Sequence, residues 1–60
     1  MSYSDSTIPV ETILASVKLF MQAIKGYRKA NFHDYERFKQ ILHENGHYGY
    51  EKELADILGV

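Results

Sequence analysis

Between Ile8 and Ala30 the apolar residues recur at Val10, Ile13, Leu14, Val17, Phe20, Met21, Ile24 and Tyr27. Steps of three and four place them on one face of an α-helix. The pattern predicts a first helix over about 8–30, roughly 33 Å long. Pro9 falls near its first position, where a missing N–H costs nothing. Ser6 or Thr7 is the expected cap, and Glu11 sits in the first turn, where the macrodipole favours an anion. Lys25, Arg28 and Lys29 fall at the other end, where cations are favoured. Gly26 can end the helix or be tolerated inside it; Tyr27, in phase with the stripe, favours the second.

The pattern restarts at Asn31, an N-cap residue with Asp34 three positions on. The second helix is expected over 32–45, with Tyr35, Phe38, Ile41 and Leu42 inward. Asn45-Gly46 is its stop signal, with Gly46 left-handed. After the loop His47-Tyr48-Gly49, a third helix over 50–58 turns Tyr50, Leu54, Ile57 and Leu58 to one side, and Gly59 ends it. No segment alternates with the period of a strand. The predicted fold is all-α: a small three-helix bundle with a long first helix, residues 8–60, behind a flexible polar leader, 1–7. Val17, Phe20, Ile24, Phe38, Leu42 and Leu54 form its expected core.

The first helix is far longer than the third, which predicts an apolar stripe that one chain cannot cover. Val10, Ile13, Leu14, Val17 and Met21 would then bind a partner, and the simplest partner is a second copy. Sixty residues sharpen this expectation. Below roughly 70–80 residues a core rarely supplies more than about 3–5 kcal/mol. The chain has no cysteine, so neither a disulfide nor a thiolate metal site can staple it. That composition fits a cytoplasmic protein. Met1–Thr7 carries no basic residue and precedes an amphipathic run, so no signal peptide is expected. Lys18 and Gln22 interrupt the longest apolar stretch, so no membrane span is expected either.

Net charge is −1, which leaves no global basic field for nucleic acid or anionic lipid. The charge is nonetheless segregated. Lys25, Arg28, Lys29, Arg37 and Lys39 against Asp34 and Glu36 give residues 25–39 a net +3 (5 − 2). Lys52 against Glu44, Glu51, Glu53 and Asp56 gives residues 40–60 a net −3 (1 − 4). The five cations of the middle segment interleave with Tyr27, Phe32 and Tyr35, a combination that can hold phosphates and stack bases. The same aromatics match core spacing, and the cations then form a solvated corner.

Three short motifs bear on chemistry. His43-Glu44-Asn45-Gly46-His47 matches the zinc-peptidase pattern H-E-x-x-H, which requires one helix through both histidines. Asn45-Gly46 is a helix stop, so the motif is expected to be a helix C-terminus without a metal. Around the loop, Tyr50 has the phase of a core residue, and Tyr48 is free to join an interface. Glu53-Leu54-Ala55-Asp56-Ile57-Leu58-Gly59-Val60 resembles the first helix and turn of helix-turn-helix domains over eight residues. The resemblance implies a Leu54-Ala55 pair in the core and a turn at Gly59-Val60. There is no glycine-rich phosphate loop and no nucleophile elbow, and carboxylates such as Glu36, three residues from Lys39, read as surface ion pairs.

The sequence thus predicts a non-catalytic, cofactor-free protein–protein interaction module, a regulator, inhibitor or adaptor. It is expected to self-associate through the first helix, with Tyr48 adding to the partner surface. The alternative is a nucleic-acid-binding or transcription-regulating accessory protein that uses Lys25, Arg28, Lys29, Arg37 and Lys39.

Overall fold

The computed structural model describes residues 7–60. Three helices follow in order: α1 (Val10–Ile24), α2 (Phe32–Glu44) and α3 (Glu51–Leu58). No strand occurs among the described residues. The expected leader lies outside them except for Thr7, as does Ser6, one of the two expected caps.

The α1 helix is shorter than its stripe predicts. Lys25 leaves helical geometry at φ −60°, ψ 128°, and Gly26 follows at φ 90°. These values belong to a type II turn, whose third residue needs positive φ. The Tyr27 N–H closes the turn on the Ile24 carbonyl at 2.9 Å. Gly26 is therefore a terminator, and Tyr27 stands 86% exposed instead of extending the stripe. Because the helix ends at Ile24, the three cations expected near its C-terminus lie beyond it, and its last turn carries no basic residue. At the other end Pro9 is the cap residue and no side chain caps the helix, so Thr7 does not take that role.

A Cβ built on Gly26 meets nothing within 4 Å, so a side chain there is penalised by backbone conformation alone. Gly26→Ala is expected to cost about 1–2 kcal/mol, the left-handed penalty of an L-residue. Urea unfolding of Gly26→Ala beside Gly26→Asn, which tolerates positive φ better, checks this.

The α2 helix follows its sequence signals closely. The Asn31 side chain accepts from the Asp34 N–H at 3.0 Å, and the Asp34 carboxylate accepts from the Asn31 N–H at 2.9 Å, a reciprocal capping box. At its end the His47 N–H reaches the Leu42 carbonyl (2.8 Å) and the Gly46 N–H reaches His43 (3.0 Å). This is a Schellman closure, with Gly46 at φ 79° in the left-handed position.

The three helices enclose Ile13, Val17, Leu42, Leu54 and Leu58. Val17, Leu42 and Leu54 are buried as expected. Phe20, Ile24 and Phe38 are half-buried instead, on the periphery. Phe20 and Phe38 meet edge to face at 5.3 Å, joining α1 to α2.

Candidate functional site

The expected partner stripe of α1 divides in two. Ile13 and Val17 are core residues of the single chain and present nothing to a partner. Ending α1 at Ile24 halves the expected length mismatch with α3, and these two positions lie in the core shared with α2 and α3. Val10 and Met21 pack on the core and stay half-exposed, while Leu14 is half-buried without packing on the five-residue core. Ile24 is in the same state. Tyr48 is 67% exposed, and its ring lies 4.9 Å from that of His43. Ile8, Leu19, Tyr27, Phe32 and Val60 are exposed apolar residues outside the sequence-derived partner set; Leu19 is 65% exposed on the outer face of α1 and Phe32 64% exposed at the start of α2. Helical phase could have flagged Leu19 as an apolar residue on a polar face.

The five cations of the middle segment do not form one free patch. Arg28 makes a two-pronged bond to Asp34, at 2.8 and 3.2 Å, and its guanidinium lies 5.7 Å over the Phe20 ring. Lys39 pairs with Glu36 at 3.6 Å and lies over Tyr35. Lys25, Lys29 and Arg37 form no ion pair among the described residues.

Asp34 is the one buried charged residue among those described. The Arg28 guanidinium, reinforced by the Asn31 N–H, holds its carboxyl well below the usual range, at about 2. A lowered folded-state pKa contributes stability above the ordinary value, 3.8, that disappears as pH falls through the folded value. The melting temperature is therefore expected to fall as pH drops from about 4 to about 2. Asp34→Asn should be less stable at neutral pH and should show a shallower acid limb. Thermal melts across that range, read by circular dichroism, measure both slopes.

The histidines of the H-E-x-x-H match have separate structural duties. The α2 helix stops at Glu44, so no helix runs through both. His43 Nε2–H donates to Glu51 at 2.7 Å, joining α2 to α3 and holding the Glu51 carboxyl below its ordinary range. His47 Nε2–H donates to the Ile8 carbonyl at 2.6 Å, while the Ile8 N–H donates to Asn45 at 2.8 Å. These two bonds fasten the entry of α1 to the α2–α3 turn. Among the described residues, no three His, Asp or Glu side chains gather at one point.

The α3 helix buries Leu54 and half-buries Ala55, and Gly59 caps it in the left-handed region. Those features agree with the eight-residue likeness to a helix-turn-helix and equally with any short amphipathic helix ending in glycine. No helix among the described residues is long and apolar enough to cross a membrane. Comparison with known proteins gives no matching family model, no matching curated protein and no matching solved structure.

Proposed function

We propose that this chain is a small, non-catalytic protein–protein interaction module, a regulator, inhibitor or adaptor of the cytoplasm, that self-associates through α1. The observation that carries the reading is the imbalance between core and surface. Among the described residues five apolar side chains form the interior, while Leu19, Tyr27, Phe32 and Tyr48 stand in solvent and Leu14 and Ile24 lie half-covered. Aromatic and large aliphatic side chains concentrate in protein interfaces. A domain this small gains disproportionately from burying them.

The test follows from mass action, since pairing of folded chains raises apparent stability with concentration. The melting temperature is expected to rise between about 5 µM and about 500 µM chain, as mass action requires. Leu14→Glu should abolish that dependence by placing a charge in the interface. Invariant melting of the unmodified chain would count against self-association.

Nucleic-acid binding is a second reading. Phe32 stacks on Tyr35 at 5.3 Å with Lys39 over the tyrosine, an arrangement on which an unpaired base could continue the stack. Affinity for oligo-dT or oligo-U that falls steeply with salt would favour it. The ion pairs of Arg28 and Lys39 reduce the charge available for such contacts.

A further inference from the structure

An open groove of about 520 Å³ lies where α1, the turn after it and the end of α3 meet. Met21, Ile24, Ala30 and Leu58 contribute apolar surface, while Lys25 and Lys29 supply exposed ammonium groups. Arg28 also borders it, with its guanidinium engaged by Asp34. Among the described residues no carboxylate lines the groove, whereas two other concavities of the surface include Glu44 and Asp34. The groove therefore suits an apolar side chain flanked by anions.

The chain itself carries such a set. On α3, Glu53, Asp56 and Ile57 stand three and four residues apart and share a face. Both carboxylates are exposed and, among the described residues, form no ion pair; Ile57 packs partly on the core of its own chain and leaves the rest of its side chain open. Glu51, the remaining acid of α3, is engaged by His43. The segregation is visible along the chain, with net +3 over 25–39 and net −3 over 40–60.

We propose that the groove receives α3 of a second copy, with Ile57 of the partner subunit seated among Met21, Ile24 and Ala30. The carboxylates of Glu53 and Asp56 of the partner subunit then face Lys25 and Lys29. The end of α3 borders the groove of its own chain, so a twofold axis makes the contact twice, closing a dimer instead of opening a filament. The proposal rests on the self-association reading above and adds to its α1 contact at Leu14 a second contact at the end of α1. Met21 is common to both, and Ile24, which does not pack on the five-residue core, gains a cover.

The test uses charge reversal in the full chain, followed by light scattering after size exclusion. Lys25→Glu with Lys29→Glu, and separately Glu53→Lys with Asp56→Lys, each set like charges against each other in a homodimer. Either pair is expected to weaken dimerisation about tenfold or more. An equimolar mixture of the two variants should restore the dimer, because every repulsive contact becomes attractive in the mixed species. All four positions are exposed, so the substitutions should leave the fold intact, and circular dichroism checks that the variants stay helical. The unmodified dimer should also weaken as salt rises from about 0.05 M to about 0.5 M. A dimer indifferent to both variants would overturn this interface and leave self-association standing. Weakened variants that do not recover on mixing would overturn the reciprocal contact. A monomer at every concentration would overturn both readings, and larger open-ended assemblies would overturn the twofold closure.

Discussion

Leu54→Ala should leave the chain largely unfolded at room temperature. Leu54 is wholly buried and belongs to the five-residue cluster contributed by all three helices. Truncating a buried leucine costs about 2–5 kcal/mol, from lost transfer energy and the cavity left behind. A core in this size range supplies only about 3–5 kcal/mol in total. The α3 helix, at eight residues, cannot persist without packing, because isolated helices shorter than about 12–15 residues are marginal in water. The expected far-ultraviolet spectrum is that of a mostly disordered chain. A cooperative melt at the temperature of the unmodified protein would show that α3 is dispensable to the core.

The second large effect is expected at Phe38→Ala, and its size reports on burial. A fully buried phenylalanine truncated to alanine costs about 3–5 kcal/mol. Phe38 is half-buried, which lowers the cost, but it also makes the edge-to-face contact with Phe20 at 5.3 Å. Such pairs add about 0.5–1.5 kcal/mol beyond area. A loss of about 2–4 kcal/mol is expected in urea unfolding, smaller than that of a buried ring and larger than that of an exposed one. A double-mutant cycle with Phe20→Leu and Phe38→Leu isolates the pair. A cycle energy near zero would mean that the rings do not couple α1 to α2.

The features legible in the sequence are those with a local cause. Asn31 and Asp34 formed a cap because the motif needs only two side chains and their own backbone. Asn45-Gly46 ended α2 for the same reason. The phase of Val17, Leu42 and Leu54 placed them inside. The misreading at Gly26 arose where two local rules competed. Tyr27 lay in phase with the stripe, while Gly26 could supply the positive φ of a type II turn, and the turn prevailed. That difference propagated, since the predicted surplus of α1 stripe counted Ile13 and Val17 as uncovered.

Contacts across turns were invisible to periodicity. Arg28 and Asp34 lie six residues apart across a helix boundary, and no spacing rule joins them. The bonds from His43 to Glu51 and from His47 to Ile8 depend on how the helices meet, so the H-E-x-x-H pattern gave no indication of either duty. The apolar groove beside Lys25 and Lys29 exists because α1 stops at Ile24 and α3 ends next to it, neither of which periodicity alone specifies.

Sedimentation equilibrium of the unmodified chain at micromolar concentration tests self-association most directly. The expected species has twice the 7.0 kDa chain mass and dissociates on dilution and on Leu14→Glu substitution. A single 7.0 kDa species across the whole concentration range would contradict self-association.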